Sequence, residues 1–471
     1  MVAVNLKMGR AAVRLALFCF AAGLWAQSEE LAKESQHAKE LMAAGKYEQA
    51  IPIYQKLVQA LPGNTGLVFN LALAERMAGR DREAIAHFET VLKAQPNHRE
   101  ARETLAGALL DVGRFEQAAA QLRELTATSP DDPHAWYGLG MSYQGAAGAA
   151  FERLQKAGPS SPYVAALVAD TRVKRRQYRS AFLFYNEALK QLPNLHGIHA
   201  ALAEVYRKTG HPEWAAEEDA KEAALPAPDC KAHAAECDFA AGHDVQLMNA
   251  ARGASPPPET LYWQAKAANE LALQAFFRLG QLPESVELHQ LKAEIARGQG
   301  QYLESVREWR AALALKPGNA ALERELAVAL FMAADYSSAL EAARKLLKAQ
   351  PGSAELNFTA GDSLLRLEQP EQAIPFLRAA LAADPKMLAA DASLGLSLSR
   401  IGKSAEAISH LHKALELDDD GSLHFQLANA YRAVGDSEKA RAAMAQYQEI
   451  VKRNQEAKEE IAREAQIAPP K

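Results

Sequence analysis

The residue types best suited to chemistry lie in one short stretch of the 471-residue chain, at Cys230, His233, Cys237 and His243. Two cysteines so near in sequence favour a disulfide bond if the chain folds in an oxidising compartment. On one continuous helix their α-carbons would lie about 10 Å apart, beyond the roughly 7 Å that a disulfide can bridge. A disulfide therefore requires a break in the helix between them. Buried or free thiols are an alternative.

A metal site built from the same four side chains is the other alternative, although their spacing matches no common zinc pattern. The haem-attachment pattern Cys-x-x-Cys-His is absent from the sequence. The metalloprotease, nucleophile-elbow, phosphate-loop and dinucleotide-binding signatures are absent as well. Carboxylates are plentiful, but on helices they are mostly solvated or paired with Lys and Arg. We therefore assign no catalytic residue, no metal ligand and no cofactor, and we expect that the protein is not an enzyme.

The composition favours helices over strands. Hydrophobic residues make up 49% of the chain and aromatic residues only 7%, so Ala and Leu carry most of the apolar content. The formal net charge of −5 argues against binding of nucleic acid through its phosphates. No apolar run in the body of the chain approaches the roughly 18 residues of a membrane-spanning helix. We expect protein or peptide partners and no membrane span in the mature chain.

The first 26 residues resemble a secretory signal peptide. A basic start is followed by an apolar run from Leu15 to Trp25 and then by small and acidic residues. We expect cleavage near Ala26 and export to a periplasm or to the cell exterior. Leu24 is an unusual residue three places before a cleavage site, so an uncleaved N-terminal membrane anchor is the alternative.

The chain repeats itself with a period of 34 residues. Prolines follow this period in both halves, at Pro62, Pro96 and Pro130 and again at Pro317, Pro351 and Pro385. Pairs of small residues twelve apart recur with it, from Ala38 and Ala50 to Ala428 and Ala440. Small side chains let the two helices of a unit approach closely. A glycine in the loop between the two helices suits a turn, and a proline after the second helix ends it. Each unit is therefore predicted to be a pair of helices.

The repeat also carries a known signature. Its first half is matched by Trp136, Leu139, Gly140 and Tyr143, and its second half by Ala181, Tyr185 and Pro193. On these residues the chain resembles the tetratricopeptide-repeat family, in its exported bacterial form, over nearly all of its mature length. The resemblance implies an all-α fold in which stacked helix-turn-helix units form a right-handed superhelical solenoid.

Eleven units are predicted, in two blocks. The N-terminal block spans 31–228, with units near 31–64, 65–98, 99–132, 133–161, 162–195 and 196–228. The C-terminal block spans 286–454, with units near 286–319, 320–353, 354–387, 388–420 and 421–454. A degenerate helical junction at 229–285 separates the blocks, and a charged tail at 455–471 follows them. The unit at 133–161 is short, which leaves its second helix in doubt.

In the resembled family the first helix of each unit lines a concave surface on which partners lie. The resemblance therefore implies a non-catalytic scaffold that binds peptide segments or protein partners there. The candidate contact residues are Phe69, Tyr137, Arg324, Phe331, Phe358, Asp362, Phe425, Asn429 and Arg432. The alternative for each is packing between neighbouring repeats.

Two other functions are left open. One is that of a structural assembly factor of the cell envelope or of a secretion apparatus. The other, which is remote, is that of a metal-dependent enzyme or enzyme accessory subunit using Cys230, His233 and Cys237.

Overall fold

The computed structural model describes residues 29–250, 256–464 and 466–470. The predicted signal peptide lies outside these ranges. Within them the chain forms 24 α-helices and one short 3-10 helix and contains no strand. The predicted all-α fold is confirmed.

The helices follow one another with short turns between them. The first thirteen are α1 (29–43), α2 (Tyr47–Ala60), α3 (Thr65–Met77), α4 (Asp81–Ala94), α5 (Arg99–Asp111), α6 (Phe115–Thr128), α7 (Pro133–Ala157), α8 (Pro162–Lys174), α9 (Tyr178–Gln191), α10 (Ile198–Lys208), α11 (Pro212–Ala224), α12 (Ala234–Ala240) and α13 (Asp244–Ala250). The others are α14 (Pro258–Gly280), α15 (Val286–Gly298), α16 (Tyr302–Leu315), α17 (Ala320–Met332), α18 (Tyr336–Leu347), α19 (Ala354–Arg366), α20 (Pro370–Ala383), α21 (Leu388–Arg400), α22 (Ser404–Lys413), α23 (Ser422–Ala433) and α24 (Ser437–Glu464), with the 3-10 helix at Ala414–Leu417.

The contacts between α-carbons divide the chain into two compact units, each built from two stretches of sequence. Among the described residues, the first unit joins those up to Glu152 with those between Ala235 and Gln281, and the second joins Arg153–Ala234 with those from Leu282 onward. The long helix of the predicted junction, α14, therefore belongs to the same unit as α1–α6.

Several repeats begin and end as the local sequence dictates. A proline prevents the preceding helix from continuing, and a polar residue two places later caps the next helix by accepting a hydrogen bond from a backbone N–H. Asn64 accepts from the N–H of Leu67 in this way, and Asn319 accepts from that of Leu322. The helices are thus delimited by short-range chemistry before any packing is considered.

Small residues lie where consecutive helices pack most closely, as the sequence predicts. A Cβ atom added to Gly361 in α19 would lie 2.6 Å from Cγ of Leu377 in α20. At Gly395 in α21 it would lie 2.7 Å from Cγ of Leu411 in α22. Both distances are too short for a side chain, so these crossings require glycine.

The unit at 133–161 departs from the pattern of two helices. Its sequence forms the single 25-residue helix α7. Gly140, which the signature places at a crossing within the unit, instead faces Phe276 of α14, whose ring atom Cε1 would lie 2.2 Å from an added Cβ. Leu139 and Tyr143 of α7 share a core with Ala272 of α14. A helix from the predicted junction therefore supplies the packing partner that the short unit lacks.

This contact makes a prediction for Gly140→Ala. The new methyl group clashes with the ring of Phe276, so we expect the free energy of unfolding to fall by about 1 to 3 kcal/mol. The measurement is chemical denaturation followed by circular dichroism. Gly148→Ala is the matched control, because Gly148 lies in the same helix and an added Cβ there meets nothing within 4 Å. The control is expected to be neutral or stabilising, and equal stability changes in the two variants would contradict this packing.

Candidate functional site

Three partly buried histidine–carboxylate pairs join the two helices of a repeat at the same place in their units, and one of the three has the two residue types exchanged. Nδ1 of His289 lies 2.7 Å from Glu308, Nδ1 of His410 lies 2.7 Å from Asp391, and His199 pairs with Glu218 in the same manner. In each pair the partners are 19 residues apart in sequence. The sequence analysis did not identify these pairs, although this fixed spacing within the repeat was a signal that could have done so.

Buried carboxylates elsewhere in the array are also held by named partners. Asp418 accepts hydrogen bonds from the backbone N–H groups of Leu423 and His424, at 2.8 and 2.9 Å. At two more exposed places a lysine of the second helix pairs with a glutamate of the first, where Lys56 bonds Glu34 and Lys345 bonds Glu323. A buried charge is costly unless it is paired and hydrogen-bonded. The hydrogen bonds to Asp418 offset the cost of its burial, and the two lysine–glutamate pairs join the helices of their units.

His87 and Glu75 form a variant of this pairing between α3 and α4. Nδ1 of His87 lies 2.7 Å from a carboxylate oxygen of Glu75, which is buried. The hydrogen bond to Glu75 raises the pKa of His87 above its ordinary value of 6.5, against the opposing effect of burial. The protonated histidine is therefore the form that stabilises this repeat.

Two of the predicted contact residues are buried. Phe69 is 8% exposed, and its ring centroid lies 5.8 Å from that of Phe88 and 4.9 Å from that of His98. Asp362 is 3% exposed and accepts hydrogen bonds from Ser393 Oγ at 2.6 Å and from Arg366 Nε at 3.3 Å. Both side chains pack or bond between helices, so neither belongs to an accessible surface. The pattern of the helix could not distinguish this burial from exposure.

The structure brings Phe331 and Phe358 together. Their ring centroids are 6.2 Å apart, on α17 and α19, and both rings are half-buried. Arg324, on the same helix as Phe331, donates a hydrogen bond to Gln350 at 2.8 Å. The first helices of two successive repeats thus carry a pair of neighbouring aromatic rings, and one of these helices also carries the guanidinium group of Arg324.

The remaining candidates lie in two other places. On α23, Phe425 is 38% exposed and its ring lies 5.4 Å from that of Tyr447 in α24, while Arg432 donates a hydrogen bond to Asn429 at 3.2 Å. Tyr137 is half-buried on α7, in the first compact unit. Phe425 thus leaves part of its ring exposed, and Asn429 and Arg432 lie on the same helix.

The break in the helix that a disulfide requires is present in the structure. Cys230 precedes α12, which begins at Ala234, whereas Cys237 lies within that helix. Both cysteines are in disulfide form, and a disulfide offers no thiolate to a metal ion. The pairing itself stays a prediction for the purified protein.

Among the helices that the structure describes, none is both long enough and apolar enough to cross a lipid bilayer.

The repeat matches known protein families. One model of the tetratricopeptide repeat matches residues 76–140, and another matches residues 35–99, 291–354 and 358–422. Over 170 residues the chain is 25% identical to BBSome complex member BBS4 of Bos taurus. This alignment covers 35% of this chain and 33% of that protein. The chain thus spans about a third of the length of this curated relative.

Two solved structures are similar to parts of the chain. MamA 41-end from Desulfovibrio magneticus RS-1 is 23% identical, with 37% of this chain and 98% of that one covered and a TM-score of 0.33. A thermophilic TPR protein in Thermus thermophilus is 19% identical, with 39% of this chain and 100% of that one covered and a TM-score of 0.31.

The raised pKa of His87 predicts how the stability of its repeat changes with pH. The stabilisation is fully present below pH 6.5, the ordinary pKa of histidine, and is lost as the pH rises through the raised pKa of the folded protein. We expect His87→Gln to lower the free energy of unfolding by about 0.5 kcal/mol near pH 5.5, after allowance for solvent screening, and by less near pH 8.

Urea denaturation of the two proteins at both pH values measures this difference. His37→Gln, at an exposed position of α1, is the control for the loss of a histidine, and its stability is expected to match that of the unsubstituted chain at both pH values. A loss of stability in His87→Gln that is larger at pH 8 than at pH 5.5 would contradict the stabilising role of the protonated histidine.

Proposed function

Because the chain is a tetratricopeptide-repeat protein, we propose that it is a non-catalytic scaffold that binds peptide segments or protein partners. The partners lie along faces of the first helices of its units, which form a concave surface in this family. The binding residues are Phe331, Phe358 and Phe425 with the polar groups beside them. Tyr137 is a separate candidate, on the first compact unit.

The observation that carries this proposal is the aromatic pair on α17 and α19. The half-buried rings of Phe331 and Phe358 lie 6.2 Å apart on successive first helices. Packing fixes each ring on one side, so little side-chain entropy is lost when a partner covers the other side. Aromatic and arginine side chains of this kind contribute most of the binding energy at protein interfaces.

The chemistry of the buried polar groups supports a role without catalysis. The carboxylates of Asp391 and Glu308 are engaged with His410 and His289 in pairs that join helices. An enzyme built on Cys230, His233 and Cys237 would need at least one free thiolate, and a disulfide form of the two cysteines removes it.

A structural assembly factor is the second function that we consider. The curated relative BBS4 is named as a member of the BBSome complex. In that function the same aromatic faces would hold a permanent subunit rather than passing peptides. A partner that copurifies in fixed stoichiometry and resists dilution would favour it.

We also propose that the protein is exported to a periplasm or to the cell exterior. The basic start and the apolar run of residues 1–26 support this location, and a membrane anchor at the same segment is the alternative. An oxidising compartment would also be the environment in which Cys230 and Cys237 form a disulfide.

Affinity capture with residues 27–471 tests the proposed binding surface. We expect Phe358→Ala/Phe425→Ala to bind a captured partner at least about tenfold more weakly than the unsubstituted chain does, because each truncation removes an aromatic ring that the partner would cover. Mass spectrometry identifies the partner, and its affinity for each variant is then measured by titration.

Phe277→Ala is the matched control for that experiment. Phe277 is 68% exposed on α14, outside the proposed faces, so its truncation is expected to leave binding unchanged. Circular dichroism verifies that each variant is folded. Full retention of the partner by Phe358→Ala/Phe425→Ala, or an equal loss in Phe277→Ala, would overturn the assignment of this surface.

A further inference from the structure

A short non-helical segment near the end of the described chain contacts α10 through a hydrogen bond. Residues 466–470, with the sequence Gln-Ile-Ala-Pro-Pro, follow α24 and are not helical. The hydroxyl group of Tyr206 donates a hydrogen bond to the backbone carbonyl of Ala468 at 2.7 Å, across 262 residues of sequence. Both residues belong to the second compact unit.

The surroundings of Tyr206 are aromatic. Its ring centroid lies 5.8 Å from that of Phe182 in α9 and 5.7 Å from that of Trp214 in α11, both in edge-to-face arrangements. His211 stacks on Trp214 with the centroids 3.9 Å apart. Three consecutive helices thus contribute to one cluster of rings, which contains a hydroxyl group able to donate outward.

The hydroxyl group of Tyr206 needs an acceptor at this place. The residue is 2% exposed, and a buried donor without a partner is costly. Burial also raises the pKa of Tyr206 to about 12, with Glu218 and Glu217 contributing to the rise. The group therefore stays protonated, and it remains a donor throughout the physiological pH range.

The segment has the backbone chemistry that such a cluster recognises. Pro469 disfavours the helical conformation for Ala468, and Pro470 imposes the same restriction on Pro469. Such a sequence favours the polyproline II conformation, in which carbonyl groups have no partner within the segment. Aromatic rings and hydroxyl donors bind this conformation at little entropic cost. Ile467 and Pro470 are half-buried, whereas Ala468 and Pro469 are exposed.

We propose that Phe182, Tyr206 and Trp214 form a binding site for short extended segments of the type apolar-Ala-Pro-Pro, which residues 466–470 of the same chain occupy. The segment then acts as an internal competitor, so that proline-rich peptides of other proteins bind the site only by displacing it. This site goes beyond the proposed scaffold function, because it uses neither Phe331, Phe358 nor Phe425. The capture experiment can fail while this inference holds, and the reverse is also true.

The test uses a fluorescent peptide with the sequence of residues 463–471 and measures its binding by anisotropy. A variant that ends at Glu464 is expected to bind the peptide. The full chain is expected to bind it at least about tenfold more weakly, because its own segment has a high effective concentration at the site. In the shortened chain, Tyr206→Phe should weaken binding by about three- to tenfold through loss of the hydrogen bond.

Two further variants complete the design. Tyr431→Phe in the shortened chain is the matched control, since Tyr431 is half-buried on α23 of the same compact unit, and its affinity should be unchanged. Pro469→Ala/Pro470→Ala in the full chain leaves every described helix intact and should allow the peptide to bind better than the unsubstituted chain does. Failure of the shortened chain to bind, equal binding by the full chain, or equal effects of Tyr206→Phe and Tyr431→Phe would each overturn the proposal.

Discussion

At Gly361 and Gly395 the backbone of one helix runs so close to a leucine of the next that no Cβ atom fits between them. This approach gives the two helices of a unit many van der Waals contacts and fixes their crossing, because interiors packed at this density do not deform continuously. Once a pair of helices is fixed, its outer faces are fixed as well. The packing of one unit on the next, and the exposure of selected rings, then follow from the same crossings.

The polar pairs between helices complement this apolar contact. A close crossing specifies how near two helices lie, whereas a histidine and a carboxylate that meet 19 residues apart specify how far one helix may slide along the other. In a shifted register the two partners would no longer meet. The buried group would then lack a hydrogen bond, which costs free energy. The same pairs place the buried carboxylates of Asp391 and Glu218 against a histidine of the neighbouring helix.

The sequence predicted the helices, their period and the small residues at their crossings, because these depend on contacts between near neighbours. It did not predict that α7 is one helix packed on Phe276 of α14, since that partner lies far along the chain. It also could not separate the buried Phe69 and Asp362 from the exposed Phe425, because a helical pattern does not say whether a face meets a neighbouring unit or solvent. The contact of Tyr206 with Ala468 has no local signal at all.

Native-state hydrogen exchange of Gly395→Ala tests the central role of the close crossing most directly. Gly298→Ala, at the end of α15 where an added Cβ meets nothing within 4 Å, is its control. In a linear array each unit is stabilised by its neighbours. We therefore expect reduced protection in α21 and α22, a smaller loss in the adjacent α20 and α23, and no loss in α8 and α9. Unchanged protection in α21 and α22, or a uniform loss across the chain, would contradict it.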